Sequence, residues 1–288
     1  MGSLITITGA SGTIGSRVAR LLSAQGVAQR LLSRDPSTLP DLPNANTAHG
    51  AEYSDADGMR AALAGTDTLL LISARESADR VNEHTTAIDA AVAVGVRRIV
   101  YLSFLGASPD CTFTFGRDHW HTEQHLKHSD VPFVALRDSM YQSGLPSMAG
   151  TEGVLRGPAG DGKVSAVSVD DVAAVAAAVL RDEAHDGQVL DVTGPAAISF
   201  AEAAEELARV SGRPISYQAE TEAEAYASRA HYGAPEFEVA GWVTSYLAIA
   251  TGELSTVSDT VPRLTGRPAQ SFAEFLAANP DSYAGLRA

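Results

Sequence analysis

The chain has 288 residues, 45% of them apolar and 19% charged, a composition that suits a globular fold with a substantial buried core. Its formal charge of −14 at pH 7 repels a phosphate backbone, so direct binding of nucleic acid is not expected. Cys111 is the sole cysteine, which excludes an intramolecular disulfide; no apolar stretch is long enough to span a bilayer and the opening residues lack a secretory leader, so a cytoplasmic protein without membrane contact is expected.

The apolar run Leu4-Ile5-Thr6-Ile7-Thr8 predicts a first strand over 4–8. It feeds Gly9-Ala10-Ser11-Gly12-Thr13-Ile14-Gly15, followed by a helical pattern over 13–25. In that context Gly9 permits a tight turn, Gly12 lets backbone N–H groups approach a pyrophosphate, and Gly15 lets the helix lie close to the strand. The positive end of the helix then faces the phosphate charge. A second strand over 28–33 ends at Ser33-Arg34. Arg34 stands 25 positions after Gly9, where the chain leaves the second strand beside an adenosine ribose. An acid there would accept from a 2′-hydroxyl, whereas an arginine forks onto a 2′-phosphate. NADPH is therefore the expected cofactor. Asp35 leaves NAD open, and an Arg34–Asp35 surface pair is the competing reading.

Further strands are expected at 46–49, 67–72, 97–103 and 132–136, alternating with helices at 55–64, 77–95 and 117–128. Such alternation implies right-handed βαβ units: a Rossmann-type, doubly wound α/β fold with a parallel sheet covered on both faces. Residues 1–137 are read as the NAD(P)-binding domain and 138–288 as a smaller α+β substrate lobe, segments of which can return to the sheet. In that lobe helices are expected at 169–181, 199–210 and 236–250, and short strands at 189–192 and 215–217. Ser199 followed by Glu202 reads as a helix cap, while Trp242 and Tyr246 read as core aromatics. Cys111 reads as a small loop or surface residue.

Reductases with a short-chain dehydrogenase mechanism place a tyrosine four residues before a lysine, so that a phenol of lowered pKa protonates the carbonyl. That pair is absent: the lysines are Lys127 and Lys163, and Tyr101 falls inside a strand. Ordinary ketone reduction is thus disfavoured. A quinone differs, because hydride transfer yields a hydroquinone anion that takes its proton from water or a modest acid. The helix over 117–128 carries His119, His121, Glu123, His125 and His128. His119 and Glu123 share one face; His121, His125 and His128 share another, which reads as solvated rather than as a metal site.

These residues resemble the NmrA-like branch of atypical short-chain dehydrogenases, and within it the bacterial NAD(P)H:quinone oxidoreductases. The likeness runs over nearly the whole chain. It rests on Gly9 through Gly15, Ser33-Arg34-Asp35-Pro36, Leu69 through Ser73, Arg117-Asp118-His119 with Thr122-Glu123, Leu136-Arg137 with Tyr141, and Ala159-Gly160-Asp161-Gly162-Lys163. The resemblance implies phosphates on Ser11, Gly12, Thr13, Ile14 and Gly15, and the 2′-phosphate on Arg34 beside Ser33. It puts adenine beside Ala51 and Glu52, and the nicotinamide ribose beside Ile72 and Ser73, with Ser103 and His119 nearer the ring. His119 is implied as ring positioner or proton relay, and Tyr141 as the aromatic that positions the acceptor. Asp138-Ser139-Met140-Tyr141-Gln142 departs from the quinone reductases, which carry an asparagine, a glycine and a tryptophan around that tyrosine; the change leaves room for a larger polycyclic quinone or ketone. Glu52 stands where the family commonly has an aspartate.

The expected function is thus NADPH-dependent hydride transfer to a quinone or related polycyclic aromatic, by a chain acting alone or as a homodimer. Two alternatives are a non-catalytic NADP(H) sensor working through a protein partner, and a tailoring reductase of aromatic polyketide assembly.

Overall fold

A computed structural model describes residues 3–287. In chain order, the first elements are β1 (Ile5–Ile7), α1 (Thr13–Ala24), β2 (Gln29–Ser33), β3 (Ala45–His49), α2 (Ala56–Leu63), β4 (Thr68–Leu71), α3 (Arg80–Ala93), β5 (Arg98–Phe104), α4 (Thr114–His128) and β6 (Phe133–Asp138). The remainder comprises α5 (Leu145–Met148), β7 (Val154–Gly157), β8 (Lys163–Val164), α6 (Val169–Val179), β9 (Val189–Val192), β10 (Ile198–Ser199), α7 (Phe200–Ser211), β11 (Ser216–Ala219), α8 (Glu222–Arg229), α9 (Glu236–Ala250), α10 (Thr260–Thr265) and α11 (Phe272–Ala278).

The central sheet has seven strands in the order β3-β2-β1-β4-β5-β6-β9. The pairs β1–β2, β1–β4, β2–β3 and β4–β5 are all parallel. Every residue of β1 and β4 is buried, as a parallel sheet covered on both faces requires. Chain order reverses between β1 and β4, the point where open α/β sheets leave a crevice beyond the strand ends. The strand expected over 189–192 in the smaller lobe is β9, the sheet's edge. It lies beside β6, the strand expected at 132–136, and the strand expected at 97–103 is β5.

The chain packs as two compact units, neither of them continuous in sequence. The first takes the chain up to Phe104, Asp118–Arg137 and Val172–Leu190; the second takes Leu105–Arg117, Asp138–Asp171 and the chain from Asp191 onward. In the first, Leu32, Met59, Leu63, Leu69, Ile88 and Ile99 belong to one buried cluster. Arg98, 3% exposed, ties the end of α6 and the segment after it to β5: it donates to the Val179 and Asp182 carbonyls at 2.8 and 3.0 Å and to Asp186 Oδ1 at 2.5 Å.

In the second unit β8 pairs antiparallel with β10, and β7 parallel with β11. Ser199 caps α7 as the sequence suggests, with Glu202 completing a capping box. Tyr246 packs 5.2 Å from the Phe200 ring and so is a core aromatic of this unit. Cys111 is buried, not at the surface, and burial pushes its thiol pKa up. Among the described residues no helix is long and apolar enough to cross a membrane.

Candidate active site

The switch point is built by the turns after β1 and β4. Gly9 adopts φ +58°, a left-handed conformation that favours glycine. A Cβ on Gly15 would lie 2.3 Å from the Gly9 carbonyl oxygen, so only glycine lets α1 sit this close to the turn. Gly12 precedes α1, which has neither a side-chain cap nor an acidic residue in its first turn. The first N–H groups of a helix have no partner within it, so this end offers donors and a partial positive charge to an anion. A dinucleotide's pyrophosphate fits such a cradle.

A cavity of about 490 Å³ opens beyond four strand tips. After β1 its wall holds Gly9 and Ser11; after β2, Ser33 and Arg34; after β3, Ala51 and Glu52; after β4, Ile72 and Ser73. Eight of the expected cofactor contacts thus surround one space, whereas Gly12, Thr13, Ile14, Gly15, Ser103 and His119 lie outside its wall. Ser11 and Ser33 approach to 3.3 Å between hydroxyls. Arg34 Nη1 donates to Glu52 Oε1 at 2.5 Å, so Arg34 pairs with Glu52 rather than with Asp35. Asp35 instead accepts from the Ser37 N–H and hydroxyl at 3.0 and 2.6 Å, bonds that hold its carboxyl below the usual range.

Tyr53, not singled out by the sequence reading, lines the same cavity. Its hydroxyl donates to the Ile72 carbonyl at 2.7 Å and lies 2.6 Å from Thr8 Oγ1, which in turn accepts from the Ile72 N–H at 3.0 Å. The turn after β4 is therefore held at both the carbonyl and the N–H of Ile72. Farther along, Ala74 N–H donates to His84 Nε2 at 2.8 Å and Arg80 Nε donates to the Ala74 carbonyl at 2.9 Å. His84 was also missed. A signal exists: it lies on the stripe of α3 that carries Ala87, Ile88 and Ala91, where a polar side chain must find partners.

His119 and Glu123 are both buried, on the shared face expected of them. His119 Nδ1 lies 2.9 Å from the Tyr101 hydroxyl, and Tyr101 lies 3.4 Å from His84 Nδ1. Burial holds His119 well below the usual histidine pKa, and nearby Arg80 and Arg137 add to the effect. Burial likewise lowers His84, to about 3. Ser103 is 1% exposed and donates to Glu123 Oε1 at 2.6 Å, while Arg137 forks onto both Glu123 oxygens at 2.8 and 2.6 Å. The Ser103 proton is thus committed to a buried ion pair.

Tyr141 belongs to the second unit and donates to Asp138 Oδ2 at 2.5 Å. Burial and the Asp138 carboxylate together raise its pKa well above that of free tyrosine. Its proton is held, not offered. Burial also raises Tyr53 and Tyr101, so each of these phenols departs in the direction opposite to an activated acid. On the other face of α4, His125 pairs with Asp89 at 2.7 Å and His128 Nδ1 meets the Gln124 carbonyl at 2.6 Å.

Comparisons with known proteins agree with this geometry. A family of NAD(P)H-binding proteins matches residues 9–183. The NAD(P)H azoreductase of Xenophilus azovorans is 33% identical over 97% of this chain and 99% of its own length. Quinone oxidoreductase 2 of Escherichia coli (strain K12) is 32% identical over 94% of this chain and 96% of its own. The crystal structure of the Escherichia coli NADPH-dependent quinone oxidoreductase complexed with NADPH superposes with a TM-score of 0.87 at 31% identity, covering 95% of this chain and 99% of that one. The chain belongs to the NAD(P)H-binding family of oxidoreductases.

Proposed function

We propose that the chain is an NADPH-dependent reductase that passes a hydride to a quinone or a related polycyclic aromatic acceptor. The observation that carries this reading is the cavity at the switch point, with a glycine turn at one side and Arg34 at another. Gly9 and Ser11, with Gly12, Thr13, Ile14 and Gly15 at the open end of α1, would hold the pyrophosphate. Arg34 and Ser33 would take the 2′-phosphate, Ala51 and Glu52 the adenine, and Ile72 and Ser73 the nicotinamide ribose. When bound, the reduced nicotinamide supplies the hydride at C4.

The phenols support the acceptor class. Tyr53, Tyr101 and Tyr141 all ionise less readily than free tyrosine, so none of these three is an activated phenol for protonating a ketone oxygen. A quinone needs none: hydride plus one proton from solvent gives the hydroquinone, and the balance closes. We assign Tyr141 the part of an aromatic surface for the acceptor, since its hydroxyl is spent on Asp138. Ser103 serves by holding Glu123, and we assign His119, which lies outside the cavity wall, a hydrogen bond to the bound ligand.

The test is NADPH consumption by purified protein against quinones, azo compounds and polycyclic ketones. Consumption that depends on a quinone supports the reading. Tight binding without turnover on any acceptor would make the chain a dinucleotide sensor instead.

A further inference from the structure

Proton placement in the buried chain around His119 follows from groups whose roles are unambiguous. A backbone N–H can only donate, so Ala74, 2.8 Å from His84 Nε2, makes that nitrogen an unprotonated acceptor. The one proton of neutral His84 therefore sits on Nδ1, 2.9 Å from Thr122 Oγ1. Thr122 accepts it, because its own hydroxyl donates to the Asp118 carbonyl at 2.8 Å. Tyr101 then has a single proton to place. Its ring lies fully buried, where an unspent O–H is costly. It cannot donate to His84 Nδ1, 3.4 Å away, since that atom already carries hydrogen, and Thr122 Oγ1, which also lies near the phenol, already takes the His84 proton; His119 Nδ1 at 2.9 Å is the acceptor that lies in hydrogen-bond geometry. His119 keeps its proton on Nε2. Among the described residues no hydrogen bond is made to that atom, although the residue is only 5% exposed.

We infer that His84 and Tyr101 form a fixed hydrogen-bond chain that holds His119 as the neutral Nε2–H tautomer, so that His119 donates a hydrogen bond to a neutral carbonyl or hydroxyl oxygen of the bound ligand rather than delivering a proton to it. Only the identity of that ligand rests on the reductase reading. The charges around the ring agree. Arg80 on α3 and Arg137 on β6 oppose a third positive charge, and the carboxylates nearest on α4 are already engaged, Asp118 with Arg80 at 3.9 Å and Glu123 with Arg137 at 2.6 Å. Phe104 at the end of β5 lies 6.1 Å from the imidazole, inclined by 31°, a wall suited to a flat conjugated carbonyl. Tyr101 and His84 are positioning residues in this scheme. They act through His119.

The test uses the whole, ligand-free protein with nitrogen-15 in its histidines, and reads tautomers from long-range proton–nitrogen correlation spectra between about pH 5 and about pH 8. The expected result is a pair of opposite neutral tautomers, Nε2–H at His119 and Nδ1–H at His84, unchanged across that range. Tyr101→Phe removes the donor to His119 Nδ1 and is expected to turn His119 into a mixture of both tautomers while His84 keeps its signature. A protonated His119, or an Nδ1–H tautomer, in the unaltered protein would overturn the inference. So would a Tyr101→Phe protein in which His119 stays wholly Nε2–H. Should that variant not fold, the spectra of the unaltered protein still decide. They involve no turnover, so an absence of quinone reduction leaves this result standing on its own.

Discussion

Arg34 and Glu52 form an ion pair of 2.5 Å at the rim of the cavity, with both side chains more than half exposed at 62% and 64%. The pairing register aligns Ser33 with His49, which carries the residues after β2 and β3 to the same place. In the proposed placement, a 2′-phosphate on Arg34 must therefore compete with a carboxylate. An exposed pair of this kind is worth at most about 1 kcal/mol, so the competition weakens NADPH binding by at most about fivefold. Glu52→Gln should tighten NADPH by up to that factor and leave NADH nearly unchanged. Arg34→Ala should weaken NADPH by about ten- to a hundredfold, the worth of a charge-assisted hydrogen bond, and bring the two coenzymes together. Calorimetric titration of each variant with both dinucleotides measures this directly.

Gly15 carries the close packing of α1 on the turn. Gly15→Ala places a methyl 2.3 Å from the Gly9 carbonyl oxygen and 2.9 Å from Ala10 Cα, so backbone must shift. The expected cost is about 1–3 kcal/mol of stability, the usual penalty for overpacking. Dinucleotide binding should fall as well, because the displaced backbone is the one proposed to cradle the pyrophosphate. Denaturant unfolding and NADPH titration on the same preparation report the two effects.

Arg98 makes a prediction about the fold alone. It is buried and spends its guanidinium on two carbonyls and Asp186. Arg98→Ala leaves those acceptors without their donor and should cost about 3–5 kcal/mol, as breaking a buried pair does. Arg98→Lys should recover only part of that, because an ammonium cannot reach three separated acceptors with a planar fork. Urea unfolding midpoints test both, with NADPH affinity of the folded fraction unchanged.

His84 ties stability to pH. Its folded pKa is pushed down to about 3 by burial, from an ordinary 6.5. Between those values the unfolded chain binds a proton that the folded chain refuses, so stability is complete above the ordinary pKa and declines as the pH falls. The slope contributed by this one residue approaches about 1.4 kcal/mol per pH unit well below pH 6.5. His119 moves in the same direction. His84→Gln should flatten the decline between about pH 6 and about pH 4.5, and unfolding curves across that range show whether it does.

Much of the fold is legible in residue order because parallel strands buried on both faces leave continuous apolar runs, such as Leu69-Leu70-Leu71, and because Gly9, Gly12 and Gly15 mark a turn that few other structures need. The edge strand Val189–Val192 reads correctly as a strand, yet short runs do not say which neighbour they pair with. Local order suffices to put Arg34 on the cavity wall and His119 on the buried face of α4. It does not suffice where a role is made by partners distant in sequence: Glu52 lies 18 positions from Arg34, and His84 lies 38 from Thr122. A sheet register and a helix–helix packing bring those pairs together, and neither is written in local spacing.

Transfer of two electrons from NADPH to a quinone is measured most directly by mixing the protein anaerobically with equal, limiting amounts of NADPH and a simple naphthoquinone, and counting hydroquinone formed against NADPH consumed. One hydroquinone per NADPH, at a rate proportional to protein and lowered in Arg34→Ala at subsaturating NADPH, is the expected result. Consumption no faster than in a protein-free control, at any quinone concentration, would contradict it.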